Sequence, residues 1–240
     1  RASAGALLDA VDRQMRDRLN GGYAEVLPRP GIREQNPHMH LLEACLSLHK
    51  VDPDGGHIAR AAELVALFET RFTAGPGGLL GERFAPDWST PTGRDADIVE
   101  PGHQFEWVWL LHAYAAATDT PVLPAAATLY DFACATLDDD GRACVEVTRE
   151  GEPFDGSRRT WSQTEALKAH LSMLESTGDE RHAAAACTSF DVLMDEFLTP
   201  DGGWIDHYGA EGDILSTFMP ASTTYHVVLA FAELIRVMKA

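Results

Sequence analysis

The chain has 240 residues, 45% of them hydrophobic, which suffices for one large domain with a substantial core. Its net charge of −18 sets it against nucleic acid, whose phosphates it would repel. No apolar run approaches the roughly 20 residues that span a bilayer, the charged stretch Arg1–Leu19 is no secretory signal, and four scattered cysteines fit a reduced cytoplasm.

In chain order, apolar residues recurring at three- and four-residue steps predict helices over residues 5–19, 37–50, 57–73, 101–117, 121–137, 160–176, 179–197 and 221–239. Pro37 and Pro101 fall in first turns, where a missing amide costs nothing, and Asn36 precedes Pro37 as a cap. Between the helices run Gly21-Gly22, Gly77-Gly78, Asp140-Gly141 and Gly202-Gly203, each followed by a short extended stretch such as Ala24–Leu27 or Ala143–Val147. Turn glycines before short strands predict small hairpins joining one helix pair to the next.

Four of the helix starts carry more chemistry than a cap requires: Asn36-Pro37-His38-Met39-His40, Glu100-Pro101-Gly102-His103-Gln104-Phe105-Glu106-Trp107, Thr160-Trp161-Ser162-Gln163-Thr164-Glu165 and Ser222-Thr223-Thr224-Tyr225-His226. From Asn36 to His103, Trp161 and Ser222 the steps are 67, 58 and 61 residues. A period near sixty is the length of two helices and their connections, so the chain reads as repeated helical hairpins. Such units close most simply into an all-α toroid, here one α/α domain over residues 1–240. The eight helices fall short of twelve, so the expected toroid lacks its first two hairpins in this chain.

On helices, Asn36, His40 and Glu43 share one stripe, as do His103, Glu106 and Trp107, and also Trp161, Glu165 and Lys168. Pooled at one end of a helical cup, these histidines, carboxylates and indoles suit a sugar. Indole faces accept C–H faces of a pyranose, while imidazole, amide and carboxylate fix hydroxyls. Two histidines from separate helices could handle the two protons of an isomerisation or epimerisation. Taken singly, each has a plainer reading: His40 as a structural hydrogen-bonding residue, His103 with Glu106 as an intrahelical pair, Trp107 and Trp109 as core. His38, His49, His57, His112, His170, His182 and His207 default to structural or surface roles. The coincidence of four starts carries the argument. A metal is not expected, because His-x-x-Glu reverses the usual di-metal order and the neighbouring tryptophans crowd it. No phosphate loop and no Gly-x-Ser-x-Gly elbow occur.

In these four motifs, from about Tyr23 to the C-terminus, the chain resembles the N-acylglucosamine 2-epimerase superfamily. The resemblance implies an (α/α)6 barrel and a metal-free, cofactor-free isomerase or epimerase acting on a monosaccharide. His103 and His226 match the acid/base pair, and His40, with Asn36 beside it, matches a third histidine contacting the sugar. Glu106 matches the carboxylate supporting the first catalytic histidine, while Trp161 and Glu165 match substrate-facing positions. The family's N-terminal arginine has no counterpart here. Trp161-Ser162-Gln163-Thr164-Glu165 is more similar to the mannose-isomerase side of the family, which implies mannose–fructose isomerisation through a cis-enediolate. Arg158 and Arg159 leave a 6-phosphate open. The alternatives are a 2-epimerase and a non-catalytic binding protein of the same family. The resemblance leaves room for a homodimer and implies neither membrane nor nucleic-acid partners.

Overall fold

The computed structural model describes residues 2–28 and 31–239, and the chain forms two compact units. The first comprises residues 1–98 and 113–123, the second residues 99–112 and 124–240.

In the first unit, helix α1 spans Ala2–Gln14, β1 Arg33–Glu34, α2 Asn36–Val51, α3 His57–Leu67, β2 Arg83–Phe84 and α4 Arg94–Asp97. α2 and α3 form an antiparallel-type hairpin pair in sequence and pack on one another. β1 pairs with β2 through Arg33↔Phe84 and Glu34↔Arg83. The core is Met39, Leu42, Leu46, Leu64 and Phe68, continued by a ring cluster of His38, Phe72, Phe84 and Trp88. Arg33 is buried beneath this cluster. Its guanidinium donates to Asp17 Oδ2 at 3.0 Å and to the carbonyls of Gly21, Tyr23 and Pro86, and lies 3.7 Å from the centre of the Trp88 ring.

The first helix departs from the expected 5–19, since it ends at Gln14. Asp17 Oδ1 accepts the amides of Leu19 and Asn20 at 2.9 and 3.2 Å, giving the backbone a turn that competes with the helix. The strand expected over Ala24–Leu27 is also missing: only Tyr23 bridges, to Arg16. The Tyr23 carbonyl goes to the Arg33 guanidinium rather than to a ladder.

In the second unit, α5 spans Pro101–Thr118 (its last turns count with the first unit), α6 Ala125–Ala135, β3 Glu146–Val147, β4 Pro153–Asp155 and β5 Arg158–Arg159. Then follow α7 Thr160–Thr177, α8 Glu180–Val192, β6 His207–Tyr208 and α9 Ala221–Val237. α6 is shorter than the expected 121–137, because Pro124 sits at its N-cap and Thr136 caps it by hydrogen-bonding back to Ala133 O. α7 packs against both α8 and α9 over Leu167, Leu171, Ala186, Val192, Leu193, Phe197 and Ala230. β3 pairs with β4 and β5 with β6, the latter through Arg158↔Tyr208 and Arg159↔His207.

The long helices expected over 57–73 and 179–197 each relax into a π turn, Phe68–Phe72 and Leu193–Phe197, closed by Thr73 N→Phe68 O and Leu198 N→Leu193 O. Both turns bury their terminal phenylalanine, Phe72 or Phe197, so two hairpins end in the same way. α5 is buried at every residue from Pro101 to Leu111, and α7 at every residue from Ser162 to Ser172. A helix without a water face is an inner helix.

Candidate active site

The start of α7 is set by a buried carboxylate. Asp206 O accepts the Thr160 amide at 3.1 Å, its Oδ2 pairs with Arg159 at 2.8 Å, and its Oδ1 accepts the Thr223 hydroxyl at 2.6 Å. Asp206 thereby ties the first turn of α7 to the first turn of α9 and fixes Trp161 relative to His226. Gln163 is spent on structure: its amide pairs with both backbone groups of Ala143, at 3.1 and 2.9 Å.

The second unit brings together five of the seven residues singled out in the sequence. The Trp161 indole is in ring contact with two imidazoles, 4.9 Å from the His103 ring centre and 5.8 Å from that of His226, each tilted by 35°. Gly102 permits this approach, since a Cβ there would sit 2.5 Å from Trp161 Cζ3. His226 Nδ1 lies 2.6 Å from Glu165 Oε1. An ionised carboxylate only accepts, so Nδ1 carries the proton and Nε2 is the basic nitrogen. Tyr225 stacks on the His226 ring at 4.0 Å.

Ligand atoms of Glu106, Glu165 and His226 lie within 4.8 Å of one another, all buried. His103 Nδ1 lies 3.5 Å from Glu100 Oε2. Lys168 is fully buried, with Nζ 2.6 Å from Glu165 Oε2. Burial pushes the Glu165 carboxyl up, but the Lys168 charge and the His226 hydrogen bond outweigh it and hold Glu165 below the ordinary carboxylate range. A metal in the Glu106–Glu165–His226 cluster would compete with that ammonium and with the proton on Nδ1.

Asn36 and His40 lie in the first unit, on the first and second turns of α2. Asn36 Oδ1 is buried, and His40 is partly exposed with Nδ1 3.8 Å from Glu43 Oε2. His38, by contrast, is used up. Its Nε2 accepts the Tyr23 amide at 2.9 Å and its Nδ1 faces Glu34 O at 3.1 Å. Burial, then the Arg33 charge, lowers its pKa to about 4, so it stays neutral.

Two site residues escaped the sequence reading. Glu100 stood in the quoted motif, three residues before His103, without a role. Lys168 was visible on the Trp161–Glu165 stripe, but a lysine at that spacing ordinarily marks a solvated face.

These features define an α/α helical-hairpin protein with a polar and aromatic centre built at the starts of its inner helices. The N-acylglucosamine 2-epimerase family pattern matches residues 1–230, and the chain belongs to that family. It is 33% identical over 238 residues to a mannose-6-phosphate isomerase of Rhizobium meliloti (strain 1021), covering 94% of this chain and 62% of the relative. A solved D-mannose isomerase superposes with a TM-score of 0.86 at 20% identity, over 96% of this chain and 64% of that one. Cellobiose 2-epimerase from Spirochaeta thermophila superposes with a TM-score of 0.81 at 24% identity, over 98% and 63%. The fold is therefore the (α/α)6 class of these sugar isomerases and epimerases, and the chain spans less than two thirds of their length. Among the described residues no helix is long and apolar enough to cross a membrane. All four cysteines are free.

Proposed function

We propose that the protein is a metal-independent sugar isomerase that converts an aldose to a ketose, with mannose and fructose, free or as 6-phosphates, as the substrate pair. The observation that carries the reading is the indole of Trp161 in ring contact with two imidazoles, one of them backed by a buried carboxylate. The family and the mannose-isomerase names of similar proteins support it.

In this reading the sugar opens and packs a C–H face on Trp161. An imidazole takes the proton from C2, leaving a cis-enediolate whose O1 then gains a proton. Loss of the O2 proton and return of a proton to C1 yields the ketose; loss of the O1 proton and return of a proton to C2 from the other face would yield the epimer. His226, with Nδ1 held by Glu165, is the principal base, and His103 serves O1 and O2. Glu106 adds negative charge beside the imidazolium as it forms. Asn36 and His40 are assigned as sugar contacts on the strength of the α2 motif.

The test is incubation of mannose, and separately mannose 6-phosphate, with the protein in deuterated water, followed by NMR. Fructose or its phosphate carrying deuterium at C1 is expected. Glucose without fructose would replace the isomerase by a 2-epimerase, and no deuterium at C1 or C2 would refute the proton-transfer mechanism. His103→Asn and His226→Asn should each lose at least ~100-fold in kcat with the fold intact, the usual weight of a general acid or base. A parent protein that binds mannose without turning it over would mark a binding protein instead.

A further inference from the structure

The Glu165–His226 pair stands on a buried cation that the proton-transfer steps do not themselves require. Lys168 lies one turn along α7 from Glu165, with no exposed surface. Its Nζ is 2.6 Å from Glu165 Oε2 and 3.7 Å from the centre of the Trp109 ring. Withdrawing an ammonium from water is costly even when it is paired, and an apolar side chain of similar volume would fill the space without that cost. The geometry is continuous: ammonium, carboxylate Oε2, carboxylate Oε1, then imidazole Nδ1.

We infer that Lys168 is a positioning residue for the reaction, acting through Glu165 to keep His226 in its Nδ1–H tautomer with Nε2 free to take a proton. Its kinetic consequence rests on the isomerase reading; its electrostatic consequence does not. The charged and titratable groups around His226 are Glu165 and Lys168 from α7, Glu106 and His103 from α5, and Tyr225 on its own helix. The ammonium offsets the negative charge of Glu165. Remove it and the Glu165 charge faces His226 uncompensated. The Glu165–His226 pair then holds its shared proton to higher pH, whether that proton sits on oxygen or nitrogen. One charge a few ångströms away, at an effective dielectric near 20, shifts that equilibrium by on the order of one to two pH units.

The experiment compares the parent protein with Lys168→Met and Lys168→Gln, each alone and combined with Glu165→Gln. The His226 ring is followed by NMR through a pH titration, its signal assigned by its loss in His226→Asn, and kcat for mannose is measured across the same range. In the Lys168 single variants the NMR midpoint and the acid limb of kcat should both move up by about one to two pH units, with KM changed less than about threefold, as expected for a group that touches no substrate. With Glu165→Gln in place, Lys168→Met should shift both by clearly less, because only the direct field of the ammonium at His226 is then lost. Folded Lys168 variants with an unmoved midpoint would overturn the inference, as would an equal shift in the Glu165→Gln background. If Lys168→Met fails to fold, Lys168→Gln decides, because it keeps a donor for Glu165 and removes only the charge. The NMR titration reads Lys168 whether or not sugar is converted. A parent protein inert to mannose and mannose 6-phosphate would sink the isomerase reading alone.

Discussion

Gly102→Ala places one methyl group against the Trp161 indole and the Ser162 hydroxyl. On the parent backbone its Cβ would fall 2.5 Å from Trp161 Cζ3, 2.7 Å from Cη2 and 2.8 Å from Ser162 Oγ, whereas ordinary contact begins at 3.4 Å. The indole must therefore retreat by about 0.9 Å, the difference between 3.4 and 2.5 Å. It is a rigid plate in ring contact with both His103 and His226, so it cannot yield as a flexible side chain would. Alanine in place of a helical glycine gains at most about 1 kcal/mol, while overpacking a tight site costs about 1–3 kcal/mol. The net expectation is a destabilisation of about 1 kcal/mol. The kinetic effect should be larger, because a displacement near 1 Å of a positioning group costs on the order of 100-fold in turnover. Calorimetric melting and kcat for the proposed mannose isomerisation read the two effects separately. Trp161→Phe removes the two indole atoms that clash and leaves the Ser162 Oγ contact, so the double variant should recover most of the lost stability, though not full turnover. A Gly102→Ala protein with a raised Tm and parental kcat would refute the claim that Gly102 sets the indole.

Three further outcomes follow from buried charges and imidazoles. Arg33→Met strands Asp17 among buried groups and should cost about 3–5 kcal/mol by denaturant melting, the usual loss when one partner of a buried pair is removed. An unchanged midpoint would show that the pair is dispensable. His38 and His170 both have pKa values lowered by burial to about 4, with Arg33 and His182 adding to the respective shifts. Below the ordinary histidine value of about 6.5 the unfolded chain takes up protons that the folded chain refuses, so stability falls as pH drops from about 6.5 to 4. Each should contribute up to about 3 kcal/mol to that loss, and His38→Gln should flatten the dependence seen in urea melts. Tyr130→Phe removes the hydroxyl that lies 2.7 Å from His170 Nδ1 and 2.8 Å from His182 Nδ1. It should destabilise by about 1–3 kcal/mol without altering kcat, and a loss of turnover at full stability would give Tyr130 a role in the chemistry.

Much of the fold was legible because its signals are local. The proline at the start of α5 and the polar runs opening α7 and α9 mark where those helices start, although no side chain caps α7 or α9. The sixty-residue period exposed the hairpin order, since polar helix starts and turn glycines recur at that interval. What escaped depended on distant partners. The end of α1 is decided by Asp17, and the carbonyl of Tyr23 is claimed by Arg33 ten residues on. Within the second unit, the stripe Trp161–Glu165–Lys168 was visible, yet nothing in the stripe reveals that Glu165 would meet His226 from a helix sixty-one residues away. Lys168 looks like a surface lysine until the burial of α7 is known. The same holds for Asp206, which ties two helix starts and lies in a segment without helical or strand periodicity.

The burial of α5 and α7 bears on how this sequence can drift. Ala125–Ala135 and Glu180–Val192 expose a residue every few positions, and such sites accept most side chains with changes near ±0.5 kcal/mol. Pro101–Leu111 and Ser162–Ser172 have no such positions. Neutral variation is therefore scarce over Pro101–Leu111 and Ser162–Ser172, where changes must come in compensating pairs. A saturation library should divide into two tiers along the helix pairs, with tolerance on α6 and α8 and near-silence on α5 and α7.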